Sequence, residues 1–413
     1  MENIKKLLNF KKRVTSNTKL VSALVVLFQI IPATIILFTA LNIVKNGGLI
    51  KTDYIAFYTG GKILADESLG AGQLYDTAIQ RSVQDSLFFN EYDNFYAYLN
   101  PPIVALVASL FSWLALSQFY FATLLINLVL QIIFVFNLKK LFIKTDHYLL
   151  FALFAGIFLP VLSCYISGQF SIFLALITLL IILLLKSDKD FRAGILTGLL
   201  LIKIHYILLI PFLFVFAKKR KAFLAGSALS ILLFIAVNFA IYGSSLGADY
   251  YNLLNKVANS ETGTQLGTLI TNNVNLQAFV PFVAKFLNVT ESLSIKFIAG
   301  LQIFLISLAL VFGLKNSDDF NRDSVLASSL ILFNTLNLHT LYNDLAITFI
   351  SAVIIFNRAI RTQKETGAIL FACAIAVIFL PYLYTLIPQS SLAIGLALVS
   401  IINLCLIHQH QKY

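Results

Sequence analysis

Residues 20–44 read LVSALVVLFQIIPATIILFTALNIV, a stretch without a single charge. A bilayer core about 30 Å thick needs about 20 apolar residues of α-helix to cross it, and this run exceeds that length. Basic residues precede it, as in a signal peptide. Its length and the lack of a small-residue cleavage pattern predict a retained spanning helix instead. Outward from it, comparable runs recur at 118–138, 147–163, 168–185, 222–242, 293–314, 324–341, 343–357, 366–386 and 390–408. Two regions are ambiguous. Pro102 to Ala115 is apolar but short, and Phe191 to Ala217 is interrupted by Lys203 and His205, with Pro211 beyond.

The whole chain shares this character. Of its 413 residues 59% are hydrophobic and 12% charged, with a mean hydropathy of +0.87. A soluble domain is roughly 45–50% apolar and about 25% charged. A water-soluble enzyme, a disordered chain and a nucleic-acid-binding chain are therefore excluded, and an all-α polytopic integral membrane protein is expected. Cys164, Cys373 and Cys405 are odd in number, lie in apolar runs and lack metal-ligand spacing. They read as small buried side chains.

The net charge of +11 is a matter of topology. Loops inside the cell carry the excess Lys and Arg. Segments 1–19, 139–146, 186–192, 218–221, 315–323, 357–365 and the tail hold 22 of the 30 basic residues. The long polar segments 45–101 and 243–292 are acid-rich by comparison. Counting 102–115 and 191–217 as one full span each leaves two basic loops outside. Every basic loop falls inside if 102–115 is a partial helix and 191–217 a hairpin of two short helices turning near Lys203–His205. This second arrangement is preferred and predicts about twelve crossings. Half-helices that short require shielding by protein.

The chain then divides into a cytoplasmic basic N-terminus (1–19), a first transmembrane helix (20–44), and an outward loop with amphipathic helices and a partial helix (45–117). Transmembrane helices with a broken pair near 203 follow (118–242), then a second outward loop (243–292), the C-terminal transmembrane helices (293–408) and a cytoplasmic tail (409–413). In the first outward loop Tyr54, Phe57, Tyr58, Gly61 and Leu64 recur at helical spacing after Asp53, which is placed to act as an N-cap. Leu74, Ala78, Val83 and Leu87 outline a second amphipathic piece. Both helices are expected along the membrane surface.

Ionisable residues within apolar spans are costly and mark function. Under the preferred topology Asp53, Tyr98 to Pro102, Ser167-Gly168-Gln169, Lys203 with His205, Asn272 to Asn275, and His339 to Asp344 all reach the outer face. Each also has a plainer reading. Asp53 caps a helix; Pro101-Pro102 starts one; Gln169 bonds neighbouring helices; Lys203 snorkels; His339 and Asp344 pair with each other. The loop aromatics, Tyr58 among them, form an interfacial belt.

Asp53-Tyr-Ile-Ala-Phe-Tyr58, Gly72-Gln-Leu-Tyr75 and Tyr98-Leu-Asn-Pro-Pro102 together resemble the opening of glycosyltransferase family 87. Gly168-Gln169-Phe-Ser is similar to that family's Gly-Gln-x-Asn/Ser, and Ala193-Gly194 through Gly198 to Lys203 is similar to its Ala-Gly…Gly…Lys. Asn272-Asn273-Val-Asn275 and His339-Thr-Leu-Tyr-Asn-Asp344 are weaker echoes. Asn100 replaces the residue usual before the prolines, and Tyr98 stands one place early.

The resemblance implies a GT-C-like fold and inverting transfer of a sugar, mannose first, from a polyprenyl-phosphate carrier to a glycan or glycolipid acceptor. It implies Asp53 as catalytic base and Lys203 with His205 at the donor phosphate. Tyr58, Tyr98, Gln169, Asn272, Asn275, His339 and Asp344 are implied substrate contacts. Soluble segments too short for a nucleotide-binding domain agree with a lipid carrier. No cofactor is required, and use of a divalent cation stays open, Asp66-Glu67 offering oxygens. A Lys/Ile/Asn/Phe bias suits a bacterial plasma membrane. The rival readings are a secondary transporter or flippase for lipid-linked sugars, and a polymerase or ligase of surface polysaccharide.

Overall fold

The computed structural model describes residues 18–45, 53–88, 95–142, 145–258, 274–315, 322–337, 340–362, 364–383, 386 and 388–406. Among them there is no strand. Helix α1 (Thr18–Lys45) leads to α2 (Tyr54–Ala65), α3 (Thr77–Phe88) and the short α4 (Pro102–Ser109). Then come α5 (Leu116–Leu138), α6 (Thr145–Ile157), α7 (Leu159–Ser167), α8 (Ser171–Lys186) and α9 (Asp190–Thr197). Two 3-10 turns, Gly198–Ile202 and Ile204–Leu208, join α9 to α10 (Leu209–Val215). The rest is α11 (Arg220–Tyr242), α12 (Leu246–Ala258), α13 (Val280–Leu287), α14 (Glu291–Lys315), α15 (Arg322–Leu336), α16 (Thr348–Ala359), α17 (Lys364–Phe379) and α18 (Gln389–Cys405).

Six helices among the described residues are long and apolar enough to cross a bilayer: Lys19–Asn42, Leu116–Leu141, His147–Ser167, Arg220–Tyr242, Ser292–Lys315 and Glu365–Leu383. Their outer faces carry exposed Leu125, Leu232, Leu233, Ile303 and Phe304, side chains suited to contact with lipid. Helices α8, α15 and α16 are shorter and buried on almost every side. A helix apolar all round belongs in a core, and a helix too short to span survives at membrane depth when protein encloses it. Buried amides add specificity. Gln29 of α1 donates to Ala152 O at 2.7 Å and accepts from Gln131 of α5 at 2.7 Å. Helix α1 and Gly156 touch so closely that a Cβ there would stand 2.3 Å from Phe28 O.

The 191–217 stretch breaks at the predicted place. Lys203 is extended (φ −117°, ψ 102°) between the two 3-10 turns. The Lys218 N–H donates to Asp190 Oδ1 at 3.0 Å, so both limbs end beside each other and the chain has reversed. Helix α4 starts at Pro102, where a missing N–H costs nothing. At eight residues it is about 12 Å long, far below a crossing.

Three expectations need correction. Helix α2 does not lie on a surface: Tyr54 to Gly61 are all buried, because Gly61 allows α2 onto the Ala108 backbone and Tyr54 packs edge-on against Tyr120 at 4.4 Å. Asp53 stands at the N-cap of α2 but makes no capping bond. Cys405 is exposed while Cys164 and Cys373 are buried, since among the described residues nothing covers that side chain at the last turn of α18.

Candidate active site

Three local devices bring distant segments together. The first is Gly168, which ends α7 in the left-handed region at φ 79°, a conformation glycine adopts without strain. The N–H groups of Gly168 and Gln169 both donate to Cys164 O, at 2.9 and 3.2 Å. A Cβ on Gly168 would sit 2.7 Å from the Tyr54 ring. The turn thus sets Gln169 beside Asp53 and starts α8 at Ser171.

The second device is the break at Lys203, and the third is the 3-10 turn Tyr342–Ile347 ahead of α16. Lys203 Nζ lies 2.7 Å from Asp344 Oδ1, with the two side chains 7% and 1% exposed. Ser171 Oγ donates to the same oxygen at 2.8 Å, and the Tyr206 hydroxyl does so at 3.3 Å. Lys203 also reaches Ser171 Oγ at 3.4 Å. On the other oxygen, Oδ2 accepts the Leu341 N–H at 3.1 Å and has His205 Nε2 at 3.7 Å. Both oxygens of Asp344 are therefore supplied with donors.

Asp53 is differently placed. It is half-buried, and its carboxylate accepts the Gln169 side-chain amide. Lys203 and Asp344 lie within electrostatic range of it. Burial pushes the Asp53 carboxyl above the usual carboxylate value, against the Gln169 hydrogen bond and the Lys203 charge, which act in the opposite direction. The half-buried Tyr96 phenol is raised as well, first by burial and then by the negative charge of Asp53. Among the described residues, buried Gln169 Oε1 has no hydrogen-bond partner, and neither has Asn343 Oδ1.

An apolar cavity of about 330 Å³ opens beside these groups between α2, α4, α5 and α8. Tyr54, Gly168, Phe170 and Ile202 line it, and they are chain neighbours of Asp53, Gln169 and Lys203. Its outer wall includes Val107, Ile126 and Leu199, all exposed on the apolar face of the bundle.

Asp53, Gln169, Lys203, His205 and Asp344 are thus assembled from four parts of the chain. Three other residues lie elsewhere and are engaged with backbone carbonyls. The Tyr58 hydroxyl donates to Leu114 O at 2.7 Å, and the Tyr98 hydroxyl to Pro101 O at 2.8 Å. Asn275 donates to Asn337 O at 2.7 Å and accepts from the Gln277 N–H at 2.8 Å. Asn272 and His339 lie outside the described residues. Among the described residues no group of three or more His, Cys, Asp or Glu is gathered as metal ligands. Asp66 is exposed and bonded to Ser68.

Reading the sequence missed Tyr206 and Tyr96, and gave no role of their own to Ser171 and Asn343, which stand inside the Gly168-Gln169-Phe-Ser and His339-to-Asp344 tracts. Ser171 and Tyr206 carried a weak signal, each within three residues of a residue singled out. Tyr96 carried none beyond its place in an aromatic-rich loop.

A buried polar cluster inside an all-helical bundle, beside an apolar cavity lined by chain neighbours of three of its residues, belongs to a polytopic membrane protein. The chain belongs to glycosyltransferase family 87, whose family model matches residues 98–381. It is accordingly a membrane glycosyltransferase of the GT-C type, with a sugar donor, an acceptor and the bilayer as its partners. The matched stretch contains Gln169, Lys203, His205 and Asp344, while Asp53 precedes it. No curated protein and no solved structure matches the chain.

Proposed function

We propose that the protein transfers a sugar, mannose by preference, from a polyprenyl-phosphate carrier to an acceptor hydroxyl on a glycan or glycolipid, with inversion and with Asp53 as the general base. One observation carries the reading. The polar residues Asp53, Gln169 and Lys203 each have a chain neighbour in the apolar cleft. A ligand whose phosphosugar meets these three side chains runs its hydrocarbon tail along that cleft.

The chemistry follows from what each group has left to offer. The acceptor oxygen attacks the anomeric carbon opposite the phosphate, the carbon–oxygen bond to phosphate breaks, and the acceptor proton passes to Asp53. An ammonium has three donors; Asp344 and Ser171 occupy two on Lys203, leaving the third for a phosphate oxygen as its charge grows. Asp344, saturated with donors, acts by holding Lys203 rather than as a base. Two carboxylates in contrasting environments take different roles. Gln169 grips Asp53 through its amide nitrogen and offers its unpartnered carbonyl to a sugar hydroxyl. Tyr58, Tyr98 and Asn275 support the loops around the site.

About twelve crossings, with both termini in the cytoplasm of a bacterium, place this site on the extracytoplasmic side. The reversal at Lys203 and the basic connections at the far end favour that topology. Purified enzyme given polyprenyl-phosphate mannose tests the reading. Asp53→Asn lowers transfer roughly 10²–10⁴-fold while leaving the fold intact, and undiminished activity in that variant rejects the assignment.

A further inference from the structure

The end of α11 remote from the candidate site carries a second concave surface. Helix α11 has 23 residues, about 33 Å of rise. At its far end the Tyr242 hydroxyl donates to Gly72 O in the first loop at 3.1 Å. Around its start opens a pocket of about 570 Å³, whose wall includes Phe216, Lys218, Lys219, Arg220, Lys221 and Arg322. Five of these six are cations, and no acid lines the pocket among the described residues. Arg322 belongs to another helix, α15, and its guanidinium donates to the Phe216 carbonyl. Two helix starts are thereby tied together around one cavity. Of the described carboxylates nearby, Asp188 holds Lys218 at 3.1 Å and Asp323 holds Lys186 at 2.6 Å, while buried Asp190 accepts the Lys218 N–H through Oδ1 at 3.0 Å and does not line the pocket.

Local rules place acids at a helix start, because the first N–H groups and the macrodipole make it the positive end. Helix α11 reverses this. Its N-cap, Lys219, makes no side-chain capping bond, and its first turn has no acid. Positive charge gathered there is unfavourable alone and turns favourable when an anion fills the pocket. The positive-inside rule accounts for an excess of Lys and Arg at this end. It does not ask for a cavity, nor for Arg322 to reach across from a second helix.

We propose that this pocket binds the phosphate group of an anionic ligand, supplied by a phospholipid headgroup in the adjacent leaflet or by a soluble phosphate. Arg220 and Arg322 suit the forked geometry of phosphate oxygens. Buried Val215, Phe216 and Ala217 give the pocket an apolar floor at the level where α11 enters the bundle. Basic pockets between helices at a membrane face recognise anionic headgroups in this way.

The test uses the full chain in neutral detergent, with native mass spectrometry reading retention of phosphatidylglycerol against phosphatidylcholine. Phosphatidylglycerol is retained preferentially by the unaltered protein. The triple variant Lys219→Gln, Arg220→Gln, Lys221→Gln weakens that retention roughly a hundredfold, from about fivefold per basic residue. The variant Lys139→Gln, Lys140→Gln, Arg361→Gln removes the same charge from other basic connections and keeps it. Should the triple variant not fold, Arg322→Gln alone weakens retention about fivefold. Inorganic phosphate that displaces the lipid, or that binds in its place, identifies the soluble source; lipid retention indifferent to phosphate identifies the headgroup. Equal retention of both lipids with no bound phosphate overturns the proposal, and so does equal loss in the two triple variants.

Discussion

The Gln169 side-chain amide donates to the Asp53 carboxylate across 116 positions of sequence, joining the turn after α7 to the start of α2. Gln169 holds the carboxylate, and Tyr54, the next residue after Asp53, lines the apolar cleft. Asp53→Asn keeps the size and the contact but cannot take a proton. Transfer falls by the contribution of a general base, roughly 10²–10⁴-fold, when product formation from polyprenyl-phosphate mannose is measured.

The same residue sets a pH dependence whose sign is fixed. As the proposed base Asp53 must be ionised, and burial raises its pKa above the ordinary 3.8. Activity therefore declines with falling pH at a midpoint above that of a free carboxylate. Gln169→Leu removes a hydrogen bond favouring the charged form and moves this midpoint to higher pH. Linkage adds a second readout. A carboxyl whose folded pKa exceeds its unfolded value stabilises the fold below the unfolded pKa and loses that contribution as pH rises through the folded one. Asp53→Asn consequently unfolds at a higher temperature than the native protein at neutral pH, and a lower unfolding temperature contradicts the environment assigned to it.

Lys203 and Asp344 form a buried pair at 2.7 Å, and such pairs are expensive to break from one side. Lys203→Gln or Asp344→Asn costs about 3–5 kcal/mol by leaving one charge uncompensated. Replacing both with Lys203→Met and Asp344→Leu recovers most of that stability without recovering activity. Lys203→Gln also weakens use of the donor by roughly 1–3 kcal/mol, the value of a hydrogen bond to a charged group. Thermal unfolding of the three variants in detergent, beside their donor KM, separates the two effects.

Gly168→Ala tests the turn that builds the site. A left-handed residue with a Cβ is strained by roughly 1–2 kcal/mol, and here the added carbon also meets the Tyr54 ring at 2.7 Å. Tyr54 follows Asp53, so displacement of the ring moves the proposed base. The variant loses activity out of proportion to its loss of stability. Gly72→Ala, with open space around its Cβ position, has little effect on either.

Much of this was legible in the sequence because the bilayer imposes strong rules. Apolar runs marked the long helices, and the Lys203–His205 interruption marked the break, since a charge inside an apolar run demands a structural reason. What was not legible depended on tertiary contact. The α2 periodicity predicts an amphipathic surface helix, yet Gly60 and Gly61 let the Tyr98 ring and the Ala108 backbone approach it, and Tyr54 to Gly61 become buried on all sides. A pairing of Asp344 with Lys203 over 141 positions has no local signature, and a near neighbour such as His339 was the natural guess. Tyr96 becomes visible only once the first loop has folded over Asp53.

The apolar cleft yields the last prediction, because in the proposed function it holds the donor's tail apart from the chemistry at the head. Val107 lines the cleft and is 53% exposed, so a larger side chain there enlarges no core contact and fills the channel mouth. Val107→Trp raises KM for a donor with a long polyprenyl chain. With a donor carrying only a few isoprene units, whose tail ends before the obstruction, KM changes little and kcat stays near the native value. The expected size is about 0.8 kcal/mol for each methylene denied burial, so loss of two or three such groups raises KM roughly tenfold or more. An equal rise for short and long donors places the tail elsewhere, since only a chain long enough to reach Val107 feels its replacement.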